Sequence, residues 1–494
     1  MAKQYCVQHQ VRCARLLHTT AEMAHGAFSY PIGLADHAAK CTCCPASAVT
    51  ARQRNSGGIV LLLSAVMLMI ISISSYGQLN TRNERNDSIK PYTMTDSSML
   101  PAYMQPDTSR QQAIQPIPDS IQMDIWDLYR QLFHKQKDSA KAPSAITVVP
   151  NISANPTIGF QIGIKAVAGK VLGKDPKTYL SVAATSASIT TKNILYFYLT
   201  HNIFTNGNKY NLQGALIASK SVTPDFGLGS RPGPDGTRKG YVFNSQYYQF
   251  KEKIYKELAP HLYGGAGLEF DIRRGTTMKG GDIETTPYGQ YNARYGFRQD
   301  RYNSNGFLFD VQYTTRDNQN RAFKGIYANA GIRLNQTWIG STKNATQLNL
   351  DLRKYVSLSQ KHPEHILAFW TWSSFVLGGR LPYLELPGTG RDINFRSGRG
   401  YTISFFKGTQ FFYYETEYRF PITRNQLLSG VTFFNLESVN DESVHQPLFH
   451  SWQPGGGAGL RILFNKATRT NLCLDYAFGK FGKKGFFLGL NEAF

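Results

Sequence analysis

From about residue 157 to the C-terminus, the chain places an apolar side chain at every second position. Ile158, Phe160, Ile162, Ile164 and Ala166 alternate with Gly159, Gln161, Gly163 and Lys165. Leu262, Gly264, Ala266, Leu268, Phe270 and Ile272 alternate with Gly265, Gly267, Glu269, Asp271 and Arg273, and Leu348, Leu350 and Leu352 with Asn349, Asp351 and Arg353. Successive side chains of a strand point to opposite faces, so each segment is a strand with one apolar and one polar face. Fifteen such segments are legible, the first at 157–170 and the last at 484–494. A soluble sandwich also alternates. Segment lengths near the ~10 residues of a tilted spanning strand, together with a polar face suited to a wet lumen, select a membrane barrel instead. Bacterial single-chain barrels use an even number of strands, and the irregular stretch 288–299 supplies the sixteenth. The expected fold is all-β, a closed antiparallel transmembrane β-barrel over 150–494.

The N-terminal part fits that destination. Ile59 to Ile73 is an apolar run preceded by Arg52 and Arg54 and followed by Ser74, Ser75, Tyr76 and Gly77. A basic flank, a short apolar core and a small residue at the cut identify 51–77 as an export signal. Fifteen residues rise only ~22 Å, too little for a helix crossing a ~30 Å hydrocarbon core. A signal peptide begins a protein, so residues 1–50 are expected to be a non-physiological upstream extension. The Cys41, Cys43, Cys44 cluster lies there, with spacing too tight for a zinc knuckle and no second ligand pair. Beyond the cut only Cys473 remains, which leaves no intramolecular disulfide and no lipid-anchored cysteine.

The formal charge is +21; residues 1–77 hold six basic and two acidic side chains, leaving +17. Export argues against nucleic acid as the partner, and a basic barrel suits anionic lipid headgroups and lipopolysaccharide. The 28 Tyr and 30 Phe suit the aromatic girdles of a membrane barrel, which places the chain in the cell outer membrane.

Residues 78–120 are polar and broken by Pro91, Pro101, Pro106, Pro116 and Pro118, the mark of an extended leader. Within the periplasmic leader 78–149, Ile121, Ile125, Leu128 and Leu132 recur at helical spacing over 121–133. They predict a short amphipathic helix, capped from Asp119 or Ser120, that lies at the membrane face, enters the barrel mouth or packs on the barrel. Enzymatic readings find little support. His201, His261, His362, His365, His445 and His450 are scattered through turns and strand ends with no nucleophile beside them, and Gly455-Gly456-Gly457 lacks the strand-to-helix setting of a phosphate loop. No catalytic residue, cofactor or metal is expected.

The last segment, Phe486, Leu488, Leu490, Glu492 and Phe494, alternates to the carboxylate. It resembles the C-terminal signal by which the barrel assembly machinery recognises outer-membrane barrels. Residues 395–494 further resemble the bacterial surface antigen domain, the barrel of the BamA/TamA-like superfamily in its Bacteroidetes form. The stretches that carry this are Arg399-Gly400-Tyr401, Glu415-Thr416-Glu417-Tyr418-Arg419-Phe420-Pro421-Ile422, Gly455-Gly456-Gly457-Ala458-Gly459-Leu460-Arg461 and Asn465-Lys466-Ala467-Thr468-Arg469-Thr470-Asn471. The resemblance implies sixteen strands, an inward-folded loop between strands eleven and twelve with Arg399, Gly400 and Tyr401 at its tip, and a role in inserting or translocating a protein or lipid. A passive channel or structural barrel is the alternative.

Strand parity adds a physical reason for the arginine. If Phe412, Tyr414, Tyr418 and Phe420 face lipid, Glu415, Glu417 and Arg419 face inward, as do Glu437, Arg461 and Asp475. An inward guanidinium needs an acid, and Glu417, Asp475 and Glu437 are the candidates. The resemblance implies an aspartate where this chain has Asn435, which predicts a weaker hold and a more mobile loop. It also implies periplasmic POTRA modules, which Leu79 to Ile146 fits badly, so a separate periplasmic protein is the expected provider of that function.

Overall fold

The computed structural model describes residues 122–133, 146–155, 157–175, 178–466 and 469–494. The upstream residues 1–50, the export segment 51–77 and the stretch 78–120 lie outside the described residues.

Sixteen strands close into one antiparallel barrel in sequential order. The first eight are β1 (Ile146–Asn155), β2 (Gly159–Val171), β3 (Leu180–Thr190), β4 (Leu195–Phe204), β5 (Tyr210–Asp225), β6 (Tyr241–Ala259), β7 (Leu262–Met278) and β8 (Tyr302–Thr314). The second eight are β9 (Gly325–Asn335), β10 (Ala345–Ser357), β11 (Ile366–Gly379), β12 (Gln410–Pro421), β13 (Leu428–Val439), β14 (Gln453–Asn465), β15 (Thr470–Gly479) and β16 (Lys484–Leu490). Among the described residues two α-helices accompany them, α1 (Ile125–Phe133) and α2 (Pro287–Tyr295).

The exterior is apolar and the interior charged. Ile162, Ile164, Phe197, Phe309, Val311, Leu352, Phe434, Leu460 and Phe486 are exposed on the outer wall, whereas Glu269, Asp271, Arg333, Arg353, Glu417, Arg419, Arg461 and Asp475 are buried within. In water this arrangement would expose far more apolar surface than a soluble protein tolerates; in a bilayer it is the stable one, because the ladders between consecutive strands pair the backbone groups that would otherwise face lipid. No helix among the described residues is long and apolar enough to cross a membrane; here the strands cross it.

Two expectations about the strands are corrected. The stretch 288–299 is not a strand. Thr286 accepts a hydrogen bond from the Gly289 N–H at 3.1 Å, Pro287 opens α2, and Gly296 at φ +67° closes it. The sixteenth strand is β1, which begins at Ile146, four residues before the expected barrel start at 150. Pro150 had hidden it, since proline cannot donate to a ladder; it is tolerated here on a strand whose far side is almost unpaired. That side is the seam, where β1 and β16 share a single ladder position, Ala154 opposite Leu488. On its other side β1 pairs with β2 at ten positions, from Ile146/Ala168 to Asn155/Gly159.

The end of the chain also differs from expectation. The last strand stops at Leu490, Asn491 takes φ +68°, and Glu492, Ala493 and Phe494 turn into the lumen and are buried there. Asparagine accepts this left-handed conformation more readily than most residues. The lumen also offers Glu492 arginine partners that lipid lacks.

Helix α1 is capped from Asp124 and not from Asp119 or Ser120: Asp124 Oδ1 accepts from the Asp127 N–H at 3.0 Å. It packs at the turns that follow β12 and β14. The Met123 N–H donates to the Asn425 carbonyl at 3.0 Å, and Lys466 Nζ lies 2.8 Å from Asp127 Oδ2. This end of the barrel, where the strands of both chain termini meet, is the helix end; the opposite one is the loop end.

Candidate functional site

The longest excursion at the loop end, residues 380–409 between β11 and β12, folds into the lumen. Its shape is set locally. Asp392 Oδ1 accepts from the Arg396 and Ser397 N–H groups at 2.9 and 2.7 Å, a tight polar turn, and Thr389 bonds through its backbone to Phe406 and Ser404. Tyr401, Phe405 and Phe406 stack on one another, with ring centroids 4.8–5.5 Å apart, and join Trp370, Phe411, Tyr413 and Phe494 in one buried aromatic cluster.

Arg399 lies at the inner tip of this loop. Its Nη2 donates to both Glu415 and Glu417, its Nε to Glu415 at 3.3 Å, and its Nη1 to Asp475 at 3.0 Å. The guanidinium centre sits 3.5 Å from the centroid of the Phe433 ring. Burial alone pushes an arginine down, but the three carboxylates more than offset it and hold this one well above its usual range. Gly400, at φ +107°, passes so close to the wall that a Cβ would lie 2.6 Å from the Phe478 carbonyl oxygen. Tyr401 donates its hydroxyl to the Pro454 carbonyl and accepts from the Lys480 N–H at 2.9 Å; Gly479 leaves room for its ring.

Two of the three proposed acids, Glu417 and Asp475, thus meet Arg399, and Glu437 does not. Glu437 accepts from the Thr389 hydroxyl and lies against Gly398; it stands opposite Tyr413, two positions nearer the loop end than Glu415. Glu415 takes its place. Its inward parity was legible, but nothing in the sequence ranked it above its neighbours. Asn435 has a role unlike that of an acid: its Nδ2 donates to the Arg399 carbonyl at 3.0 Å, and Gly455 opens the space, since a Cβ there would lie 3.1 Å from the same oxygen. The tip is thus contacted through both the Arg399 side chain and its carbonyl.

The acids around Arg399 are shared. Asp475 also pairs with Arg461, whose Nε donates to Glu492 at 2.7 Å; Arg321, in the turn between β8 and β9, lies 3.9 Å from Glu492. Glu417 also pairs with Arg419, whose Nη2 donates to the Phe494 carbonyl at 3.0 Å. Burial would raise the Glu492 carboxyl, but Arg461, Arg419 and Arg321 pull it well below the usual carboxylate range. Phe486, Leu488 and Leu490 lie on β16, while Phe494 is inside, its ring centroid 5.2 Å from that of Trp370. Beside the loop, on the wall of the earlier strands, a chamber of about 790 Å³ remains, lined by Lys251, Lys253, Glu269, Asp310, Arg333 and Arg353 among others. Among the described residues, no cluster of three metal-binding side chains occurs.

A closed sixteen-stranded barrel, apolar outside and plugged from within by an arginine-tipped loop, defines an outer-membrane β-barrel. The Omp85 superfamily domain matches residues 243–494, or 252 of the 494 residues, and the chain belongs to that superfamily. No curated protein sequence matches it. Among solved structures it is similar to BamA from Haemophilus ducreyi lacking POTRA domains 1–3, at 12% identity and TM-score 0.47 over 70% of each chain. It is also similar to CdiB from Acinetobacter baumannii (12%, 0.44) and from Escherichia coli (9%, 0.46). Each of these covers 70% of this chain, which spans only 59% and 63% of the two CdiB chains.

Proposed function

We propose that this barrel helps insert or translocate a protein or lipid at the outer membrane by opening between β1 and β16. The observation that carries this reading is the seam: one ladder position where the neighbouring hairpin has ten. Each missing ladder bond lowers the cost of parting two strands, and the free edge of β1 is a template for an incoming strand. The Arg399 loop acts as the internal latch that keeps the unoccupied barrel shut. The helix end faces the periplasm, where a separate protein delivers cargo, and lipid and lipopolysaccharide surround the wall. The chain's own insertion depends on the barrel assembly machinery.

Depleting the protein and measuring the outer-membrane proteome and lipid composition tests the role. Loss of particular barrels, surface proteins or lipids supports it, and unchanged levels of all of them would end it. The chamber of about 790 Å³ favours a second reading, a passive channel. Steady ionic conductance in planar bilayers, with no change in the proteome on depletion, would establish that reading instead.

A further inference from the structure

The inward loop fills the lumen beside the later strands and leaves the chamber of about 790 Å³ against the earlier ones, a volume that encloses a drug-sized ligand. Its lining is charged yet balanced, with seven basic and seven acidic side chains. Several of these are paired with one another: Arg333 lies 2.7 Å from Asp271, Arg353 2.6 Å from Asp351 and Lys253 3.4 Å from Asp310. A charged ligand would have to break such pairs, and an apolar one would strip water from them with nothing in return. The other polar groups of the lining are mostly amides. Twelve Asn and Gln side chains face the same chamber, and four of them form a relay at its helix end. Gln213 Nε2 donates to Asn211 Oδ1 at 2.7 Å, Asn211 Nδ2 to Asn202 Oδ1 at 2.5 Å, and Asn202 Nδ2 to Gln319 Oε1 at 3.2 Å. The relay has a direction, so among the described residues the Gln213 oxygen is left as an acceptor at one end and the Gln319 amino group as a donor at the other. A ligand rich in hydroxyls, each of which donates and accepts, satisfies both ends.

Aromatic rings stand beside the relay. Tyr179 meets Phe204 edge to face at 5.2 Å, Tyr263 points inward from β7 directly opposite Gln312 of β8, and all four line the chamber. Gln319 itself comes from the turn 315–324 between β8 and β9, which crosses the mouth at the helix end. On one side the turn reaches β4 through Asn202; on the other, Arg321 Nη2 donates to Ser429 of β13 at 3.2 Å, and Asp317 lies 2.7 Å from Arg469. We propose that the helix end of the chamber is a binding site for a neutral oligosaccharide, with the turn 315–324 as a strap across its entrance. The chamber has room for roughly two or three sugar rings. The C–H faces of the rings lie against Tyr179 and Tyr263, and the hydroxyls around their rims bond to Gln213, Asn211, Asn202 and Gln319. At an outer membrane this chemistry has two sources, the glycan of the cell wall and a free sugar.

The test uses the purified full-length protein in phosphatidylcholine nanodiscs, with no cargo and no glycolipid, so its outcome is independent of an assembly or channel role. Saturation-transfer NMR should detect binding of the N-acetylglucosamine trimer or of maltotriose, with a Kd of about a millimolar or below. Binding of the first alone points to the cell-wall glycan, and of the second alone to a free sugar. The de-N-acetylated trimer, similar in size but cationic, should bind about tenfold more weakly or not at all. Asn202→Ala combined with Gln319→Ala should weaken binding about tenfold, the effect of losing more than one hydrogen bond to the ligand. Tyr263→Leu should do the same, whereas Tyr263→Phe, which keeps the ring, should change binding by less than about threefold. Heat-modifiable migration checks that each variant is folded. If the double variant does not assemble, Gln319→Ala alone, in an exposed part of the turn, replaces it. No binding of either neutral trimer, equal binding of the cationic one, or undiminished binding in the Asn202 and Gln319 variants overturns the proposal.

Discussion

The barrel wall is built in two ways. Between β12 and β13 the ladder is continuous over eleven positions, from Phe411/Val439 to Pro421/Ser429, and its inner face carries Glu415, Glu417 and Asn435, which grip the loop tip. Between β1 and β16 there is one position, and β16, laddered to β15 on its other side, is also held from inside: Arg396 of the loop donates to the Leu490 carbonyl at 3.0 Å, and Arg461 holds Glu492 just beyond the strand. A rigid wall therefore serves as the anchor, and a weak wall is held shut from that anchor through side chains. The difference teaches that closure of this barrel is decided by its lumenal contents as much as by its hydrogen-bond ladder.

The strongest way to break the comparison is to make the two walls covalently alike. Ala154→Cys with Leu488→Cys, directly opposed across the seam, should form a disulfide and abolish the proposed insertion or translocation activity until a reductant is added. The same bridge between Thr416→Cys and Phe434→Cys, in the continuous wall, should leave activity intact. Equal effects at the two places would show that the seam is not special. Next comes the anchor. Arg399→Ala strands buried carboxylates and should cost the docked loop about 3–5 kcal/mol, read as protease access to residues 380–409 while the barrel keeps its heat-modifiable migration. Lysine at this position should recover only part of the loss, because a point charge cannot reproduce the fork.

A smaller effect sharpens the role of Asn435. Because it donates to a carbonyl, Asn435→Ala should cost about 1 kcal/mol of loop protection, and Asn435→Asp should cost more, since a carboxylate faces the same oxygen. Tighter loop docking in the aspartate variant would show that the amide is a poor substitute for an acid. The smallest effect concerns Lys407, buried against Asp225 near the loop end. Burial pushes its amine from 10.5 down to about 8, against the pull of Asp225. Between those values the unfolded chain holds the proton more tightly than the folded one. Stability should therefore rise with pH across this window, by about 1 kcal/mol per unit at most. Urea midpoints from pH 7.5 to 10, compared with those of Lys407→Met, isolate this contribution.

Much of the wall was legible because lipid and lumen impose opposite chemistries on alternate residues. The parity of Glu415, Glu417, Arg419, Arg461 and Asp475 follows from that alone. Where the rule is relaxed, the sequence misled. The first strand contains a proline and borders the seam, so its pattern is weak, and 288–299 counts as a strand only because an even number is needed, although Tyr288, Tyr291 and Tyr295 recur at the spacing of the helix they form at the loop end. The tail misled for the opposite reason: Phe486 to Phe494 keeps its alternation but for Glu492, yet Asn491 turns it inward. Periodicity records which side chains could face lipid, not whether a cluster of arginines elsewhere competes for them. The choice among inward acids is likewise three-dimensional, for Glu415 and Glu437 share the inward parity but stand at different heights on neighbouring strands, and only Glu415 is level with Arg399.

The burial of Phe494 has a consequence for how the molecule is made. Apart from the seam, the wall around the lumen is continuous, and the arginines that hold the tail, Arg461 and Arg419, pair with Asp475 and Glu417, which also hold the loop tip. A chain that closed its barrel first would have to thread a charged glutamate and a bulky ring past Arg321 and Arg461 afterwards. Packing both before the final edge meets β1 avoids that barrier, so Glu492 and Phe494 are enclosed before the wall around them is complete.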